Sequence, residues 1–353
     1  MNEAHLYEPF SQGRIRCTAC RRLCVLSDGQ RGFCGIRQNI SGKLYLLTYG
    51  IPYGINIDPI EKKPVLHLIP GSRILSFGTT GCNYACKYCQ NYDMSQRRDV
   101  SGSEMSPSDI VSAALEYGTQ GIAYTYNEPT VFTEFAHDVG VLARREGLIN
   151  IFVTNGYETD DALIYSKDFL DSITVDFKGN ASDSFYRKYI SVIGAYPIYS
   201  SLIKMRELGY HVEITDLVVP EVGDSLEDAL SMIKRIKEIF GPDMPVSFLR
   251  FHPDYKMMDL PMTPVKTLEE HYRLAREMGM NYVYIGNVPG HKAQNTYCPN
   301  CGNLLVWRDG FRSDVRGCNP DSSCKKCGYV TNIRLKWYPK NTRGTDFIET
   351  LHQ

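Results

Sequence analysis

The stretch "RILSFGTTGCNYACKYC", residues 73–89, joins a strand-like run to a loop that holds three cysteines. Residues 73–79 are rich in apolar side chains, which predicts a buried strand. Cys82, Cys86 and Cys89 follow with the spacing Cys-x3-Cys-x2-Cys. Chemistry in parallel α/β folds gathers at the carboxyl ends of the strands. The loop therefore lies where a functional site is expected.

The rest of the central region repeats this pattern of strand followed by helix. Further strand-like runs occupy residues 121–126, 150–155, 172–178, 211–220, 246–251 and 282–287. Helix-like segments lie between them, and the clearest has an apolar i, i+3, i+4 stripe from Val131 to Leu142. Repeated β-α units with right-handed crossovers predict a parallel sheet. The sequence therefore predicts an α/β fold with a partial (β/α)6-type parallel barrel over residues 70–290.

Cysteine-rich segments flank this predicted barrel. Residues 1–69 are assigned to a small N-terminal four-cysteine module and its lead-in, and residues 291–353 to a C-terminal module resembling a zinc ribbon. A stretch without cysteine separates Cys89 from Cys298. Three separate groups of cysteines predict three local sites.

The composition limits the classes of function. The formal net charge of −1 gives no electrostatic reason to expect a nucleic-acid partner. The sequence has no run of about 18 apolar residues that predicts a membrane span, and its N-terminus lacks the apolar core of a signal peptide. We therefore expect a cytoplasmic protein. In that reducing compartment the twelve cysteines are expected to bind metal rather than to form disulfides.

Three thiols on one loop suit a [4Fe–4S] cluster in which one iron has no protein ligand. Most such clusters take four cysteine ligands, and an open position on a metal is where substrate chemistry occurs. A zinc knuckle that borrows a fourth ligand, or buried thiols without a metal, are the alternatives. The spacing at a predicted strand end favours the cluster.

The C-terminal group has the pattern of a closed four-thiolate site. Cys298, Cys301, Cys324 and Cys327 form two Cys-x2-Cys-Gly knuckles with 22 residues between them. This pattern predicts a structural zinc ion, and a rubredoxin-like iron is the alternative. Cys318 is expected to be a bystander, because four ligands already saturate a tetrahedral site.

The N-terminal group has an irregular spacing. Cys17, Cys20, Cys24 and Cys34 follow the pattern Cys-x2-Cys-x3-Cys-x9-Cys, which is not that of a standard ribbon. Four thiolates can close a zinc site or hold an auxiliary iron–sulfur cluster. The spacing does not choose between the two.

The segment "CNYACKYC" resembles the signature loop of radical S-adenosylmethionine (SAM) enzymes. The resemblance implies that Cys82, Cys86 and Cys89 hold a [4Fe–4S] cluster and that SAM caps the fourth iron. One-electron reduction then cleaves SAM to methionine and a 5′-deoxyadenosyl radical, which abstracts a hydrogen atom from the substrate. It also implies a flavodoxin or ferredoxin as the electron donor.

The same resemblance assigns residues to the SAM site. Tyr88, before the last cysteine, is expected near the adenine. "YTYNEPT" carries Glu128 in the place of the superfamily's Gly-Gly-Glu-Pro segment. "DFK" resembles the Asp-x-Lys of pyruvate formate-lyase activating enzymes, so Asp176 would meet the SAM amine and Lys178 its carboxylate. "LRFHPDY" suggests that His252 lies near the ribose.

One position departs from the superfamily pattern. Tyr126 and Asn127 occupy the places where two glycines are usual. This departure leaves their backbone contact with the SAM amino group in doubt.

A closer resemblance covers nearly the whole chain. "DPIEKKPVLHLIPGS", "CQNYDMSQ", "YTYNEPT", "TNGY", "YIGNVPG" and "NTYCPNCG" occur in this order in the AmmeMemoRadiSam system radical SAM enzymes. That family belongs to the pyruvate formate-lyase activating enzyme-like group. The resemblance implies Memo-like and Amme-like proteins as partners. An activating enzyme that acts on a glycyl radical enzyme, and a non-catalytic zinc scaffold, are the alternative functions.

A few polar residues outside these motifs are expected to be structural. Glu134 and His137 form a Glu-x-x-His pattern on a helix that should cover the outside of the barrel, so both are expected at the surface. Residues 61–63 are charged and expected to be solvated. Asn287 ends the last strand, where it faces the cavity or serves a turn.

Overall fold

The computed structural model of the chain describes residues 1–337. Residues 338–353, the end of the assigned C-terminal module, lie outside the described residues. The N-terminal part contains two small antiparallel sheets, ordered β1-β6-β5 and β2-β3-β4. Their strands are β1 (Asn2–Glu3), β2 (Tyr7–Pro9), β3 (Ile15–Cys17), β4 (Val25–Leu26), β5 (Arg37–Ile40) and β6 (Lys43–Leu46).

An eight-stranded, mostly parallel sheet forms the centre of the molecule. Its strands are β7 (Tyr53–Pro59), β8 (Arg73–Gly78), β9 (Gly121–Tyr124), β10 (Ile149–Thr154), β11 (Ser172–Lys178), β12 (His211–Val218), β13 (Val246–Arg250) and β14 (Val283–Gly286). They are hydrogen-bonded in sequence order, and β8 to β14 are all parallel. The predicted α/β class and the seven predicted strands are confirmed. β7 is an additional edge strand, antiparallel to β8, and its residues, only one of which is buried, carry no apolar pattern that predicts it.

Helices connect the strands. They are α1 (Tyr92–Ser95), α2 (Pro107–Glu116), α3 (Thr133–Arg145), α4 (Asp160–Tyr165), α5 (Asp183–Phe185), α6 (Tyr196–Glu207), α7 (Leu226–Phe240) and α8 (Val265–Glu277). Ser106 and Asp109 form a capping box at the start of α2, which satisfies amides that the first turn leaves unpaired. The predicted apolar stripe of α3 is buried, with Phe135 and Val139 fully inaccessible in the main core.

Two expectations about charged residues are wrong. Glu134 on α3 is 1% exposed rather than at the surface, because it pairs with the buried Arg37 of the N-terminal module. Glu61 and Lys63 are also buried, at 6% and 2% exposure, whereas Lys62 stays half exposed. Lys63 is compensated by Asp58, whose Oδ2 lies 2.6 Å from the lysine Nζ.

The C-terminal part forms a third antiparallel sheet in the order β15-β16-β17. Its strands are β15 (Thr296–Tyr297), β16 (Leu304–Asp309) and β17 (Arg312–Val315). Leu305, Val306 and Ile333 form its small apolar core with the nearby cysteines. Arg308 anchors it to the centre, since its Nη2 donates to the carbonyl of Leu66 at 2.6 Å. Within residues 1–337, none of the helices has the length and apolar character needed to cross a membrane.

Candidate functional site

A cavity of about 540 Å³ opens at the carboxyl ends of the parallel strands. The sequence-predicted residues that line it are Cys82, Cys86, Cys89, Tyr88, Asp176, Lys178 and His252, together with Asn287. Residues far apart in the chain meet there because parallel strands end at the same edge of the sheet. The cavity therefore joins the three-cysteine loop to the other predicted SAM-site residues except Glu128.

The three-cysteine loop is shaped by Gly81. This residue has a φ of 87°, in the left-handed region that favours glycine, and a Cβ there would lie 2.4 Å from the carbonyl oxygen of Cys34. The loop then places Cys82 in the core, with its sulfur accepting a hydrogen bond from the Tyr84 amide at 3.4 Å. Cys86 and Cys89 are half-buried and face the cavity.

The three thiols of this loop do not have the spacing of a single-ion site. Within the described part of the chain, they do not form a group whose ligand atoms all lie within 4.8 Å of one another. Burial and the neighbouring Cys89 raise the pKa of Cys86 to about 12, and the Lys178 ammonium opposes that shift. A cluster would bind the thiolates and release their protons.

Asp176 and Lys178 form an ion pair that lines the same cavity as the thiols. Both lie on β11 two residues apart, so their side chains point to one face of the sheet. The Lys178 Nζ donates to Asp176 Oδ2, and the Thr215 hydroxyl donates to Asp176 Oδ1 at 2.7 Å. Burial lowers the pKa of Lys178, but Asp176 outweighs it and leaves the pKa above its usual value. Lys178 is therefore charged, and the pair lies at the cavity wall.

Tyr88 and His252 sit at different depths of the cavity. Tyr88 is 5% exposed, and its ring packs against Phe185 and Phe251 at centroid distances of 5.8 and 6.1 Å. His252 is exposed at the cavity mouth. An aromatic wall of this kind can stack on a flat heterocycle.

Glu128 lies behind the cavity wall and does not line it. Its Oε1 lies 2.7 Å from the Thr130 hydroxyl and 2.9 Å from the Thr154 hydroxyl, and its Oε2 accepts from the Asn155 amide at 2.8 Å. The same Thr154 oxygen lies 2.5 Å from Glu158 Oε1. Burial and repulsion from Glu128 raise the pKa of Glu158 to about 8. Glu128 therefore ties together the ends of β9 and β10.

Tyr126 has a backbone conformation that favours glycine. Its φ is 72°, which a side chain disfavours. Its carbonyl accepts from the Asn91 amide group at 2.9 Å, and its hydroxyl donates to Asp58 at 2.7 Å. Asn127 donates to the Gly81 carbonyl at 2.7 Å. The two residues therefore brace the cysteine loop from the end of β9.

Sequence reasoning missed two buried cations that line the cavity. The Nζ of Lys63 lies 4.5 Å from the ring centroid of Tyr126, and burial lowers its pKa to about 8 despite the Asp58 carboxylate. Arg308 is 3% exposed. The alternation of side chains along β16 could have predicted the burial of Arg308, because Arg308 lies on the same strand face as the buried Val306.

The C-terminal cysteines have the geometry of one tetrahedral ion. The sulfurs of Cys298, Cys301, Cys324 and Cys327 all lie within 4.8 Å of one another. The Cys298–Cys327 and Cys301–Cys324 sulfurs are 3.6 and 3.7 Å apart. Thiolates at about 2.3 Å from a tetrahedral ion lie about 3.8 Å apart. Cys318 stands outside this group.

A three-thiol loop after a parallel strand, facing a cavity with an acid–lysine pair, is the arrangement expected of a radical SAM protein. The sequence matches the family described as the Radical SAM superfamily over residues 77–236, so this part of the chain carries a radical SAM domain. It is 42% identical to the uncharacterized protein MJ0808 of Methanocaldococcus jannaschii over 338 residues, which is 95% of this chain and 100% of that protein.

Two weaker similarities concern proteins with more specific names. The putative glycyl-radical enzyme activating enzyme MJ1632 of the same organism is 28% identical over 152 residues, 41% of this chain and 56% of that protein. The crystal structure of a radical SAM methyltransferase from Sphaerobacter thermophilus superposes with a TM-score of 0.48 at 14% identity, covering 64% of this chain and 70% of that chain.

Proposed function

We propose that the protein is a radical SAM enzyme that cleaves SAM reductively and abstracts hydrogen from a substrate bound in the same cavity. The observation that carries the proposal is the meeting of Cys82, Cys86 and Cys89 with the Asp176–Lys178 pair in one cavity. Three thiols can hold a [4Fe–4S] cluster and leave one iron open to an outside ligand. When bound, the cluster supplies the electron that breaks a sulfonium bond.

Asp176 and Lys178 are proposed to hold the amino acid part of SAM. A carboxylate binds an ammonium and an ammonium binds a carboxylate, so the pair can exchange its internal contact for two contacts with the zwitterion. The Thr215 hydroxyl keeps Asp176 oriented during that exchange. Tyr88 would pack on the adenine and His252 would reach the ribose from the mouth. The chain thereby orients SAM and limits water around it.

The particular reaction is proposed from the family resemblance. The motifs in order along the chain support an AmmeMemoRadiSam system enzyme with Memo-like and Amme-like partners, and a flavodoxin or ferredoxin as donor. We propose zinc for the C-terminal site, because closed four-thiolate sites are typical of structural zinc. A cytoplasmic location is proposed because all twelve cysteines are free thiols.

A second candidate is a glycyl-radical-enzyme activating enzyme that acts on a protein partner. The similarity to the putative activating enzyme MJ1632 favours it. Mixing the reduced protein with SAM and a candidate partner should then produce a stable protein radical in the electron paramagnetic resonance (EPR) spectrum. Turnover of a small molecule without such a signal would favour the first candidate.

The test is SAM cleavage by protein reconstituted anaerobically with iron and sulfide. With dithionite and SAM, the native chain should form 5′-deoxyadenosine, and Cys86→Ala should form none. Cys318→Ala is the matched control and should behave as the native chain. An intact cluster without product would contradict the proposal, and a colourless, air-stable protein that holds only zinc would favour a non-catalytic scaffold.

A further inference from the structure

The four N-terminal cysteines converge on one buried point. Cys17 ends β3, Cys20 and Cys24 lie in the loop before β4, and Cys34 precedes β5. Three of them are less than one-tenth exposed, at 6%, 8% and 7% for Cys17, Cys20 and Cys34. A Cβ at Gly32 would lie 3.7 Å from the Cys34 sulfur and 3.8 Å from the Cys24 sulfur, so both sulfurs lie beside this glycine.

Backbone amides are directed at these sulfurs. The backbone amides of Ala19, Arg22 and Ile36 lie near the sulfurs of Cys17, Cys20 and Cys34. Amide hydrogen bonds to sulfur stabilise thiolates and tune metal–sulfur centres. The module is therefore arranged to bind a metal group through its thiolates.

The N-terminal thiols do not have the spacing of a single-ion site. The C-terminal thiols are the only group of three or more candidate ligand side chains in residues 1–337 whose ligand atoms all lie within 4.8 Å of one another. No three of the N-terminal sulfurs meet that limit. Four thiolates on a single tetrahedral ion require separations of about 3.8 Å. A cube of four irons and four sulfides is wider and needs its four cysteine sulfurs farther apart.

We propose that Cys17, Cys20, Cys24 and Cys34 hold a second [4Fe–4S] cluster. This cluster has four protein ligands, unlike the central one, so it carries no open iron. The proposal does not depend on SAM cleavage, because it concerns only what these four thiols bind.

The second cluster would lie directly beside the three-cysteine loop. The carbonyl of Cys34 packs against Gly81, the residue before Cys82. One Arg98 nitrogen, Nη1, donates to the carbonyls of both Cys34 and Cys82, at 3.2 and 3.3 Å. Ligand residues of the two sites are thus joined through one guanidinium. Two paramagnetic clusters at such closeness are expected to perturb each other's EPR signal.

The experiment separates the two sites by removing the ligands of the central one. The full chain with Cys82→Ser, Cys86→Ser and Cys89→Ser is reconstituted anaerobically with iron and sulfide, and iron, sulfide and zinc are measured. We expect about four irons and about four sulfides to remain, against about eight of each in the native chain. Cys318→Ala is the control and should keep the native values. The three substituted residues lie outside residues 1–69, so the four N-terminal thiols themselves are unchanged in the variant.

The EPR spectra give a second readout that is independent of activity. Dithionite-reduced native protein should show a broadened, interacting signal, and the triple variant should show the simple signal of one isolated cluster. An iron-free triple variant that holds about two zinc ions would overturn the proposal. A native protein with about four irons and a simple signal would also overturn it, while leaving the central cluster and SAM cleavage intact.

Discussion

The ion pair between Arg37 and Glu134 gives the sharpest prediction about what joins the N-terminal module to the sheet. Both side chains are 2% exposed. The Arg37 Nη2 donates to Glu134 Oε2, Nη1 donates to Oε1 at 3.1 Å, and Nε donates to the Val131 carbonyl at 2.9 Å. Burial lowers the pKa of Arg37, but the Glu134 charge outweighs it and raises the pKa above its usual value. The Arg37 guanidinium is therefore charged.

Replacing Arg37 by Met leaves the Glu134 charge buried without its partner. Loss of one member of a buried pair lowers the free energy of unfolding by about 3–5 kcal/mol, a large part of the total of about 5–15 kcal/mol. The shift is measured as the change in urea midpoint under anaerobic conditions. The double variant Arg37→Met with Glu134→Leu should recover most of the loss, because it leaves no buried charge unpaired.

Arg16→Met is the matched control for that variant. Arg16 pairs with Glu8 at 3.0 Å, but the two side chains are 34% and 51% exposed. Its loss should change the free energy of unfolding by less than about 1 kcal/mol. The reasoning about the buried pair would be refuted if Arg37→Met lowered the free energy of unfolding as little as Arg16→Met does. It would also be refuted if the double variant were no more stable than Arg37→Met alone.

The remaining predictions concern the cavity and its supports. Asp176→Asn should weaken SAM binding about tenfold or more in anaerobic calorimetry, because a charge-assisted hydrogen bond is lost. The control is Glu227→Gln at an exposed position, which should leave SAM binding unchanged. If Asp176→Asn bound SAM as tightly as the native chain, Asp176 would not belong to the SAM site. Gly81→Ala should reduce the iron bound per folded chain, because the added Cβ would lie 2.4 Å from the Cys34 carbonyl oxygen. Gly290→Ala is the control: this glycine also has a positive φ, 78°, but has open space around it, so the iron content should not change. Glu158 has a pKa of about 8 against a usual 4.5, so the folded chain holds this proton more tightly than the unfolded one. Its contribution to stability is present at low pH and is lost as the pH rises from about 5 to about 8. Glu158→Gln should flatten this fall in urea titrations, and an unchanged pH profile would contradict the buried acidic pair.

The parallel sheet and the cysteine groups could be predicted because each has a local signal. Strand β11 shows this well, since its run of Ile173, Val175 and Phe177 is buried and its end carries the polar pair. The knuckles around Cys298 and Cys324 are equally local. Residues a few positions apart fix such features whatever the rest of the chain does.

The residues that sequence reasoning misplaced depend on partners distant in the chain. Glu134 is buried only because Arg37, 97 positions away, neutralises it. Arg308 enters the cavity because the C-terminal sheet packs near Leu66, 242 positions away. Glu128 matches the superfamily motif, yet Thr154 and Asn155 at the end of the neighbouring strand hydrogen-bond to its oxygens behind the cavity wall. Neither the composition nor the spacing of apolar residues along the sequence predicts those pairings.

The most direct measurement of the central claim is the EPR spectrum of the reduced, reconstituted protein before and after SAM is added. The claim is that Cys82, Cys86 and Cys89 hold a cluster with one iron open to the cavity. SAM should then change the g-values of that cluster's signal, and the change should be absent from the triple serine variant. A fully loaded protein whose spectrum is identical with and without saturating SAM would contradict the account.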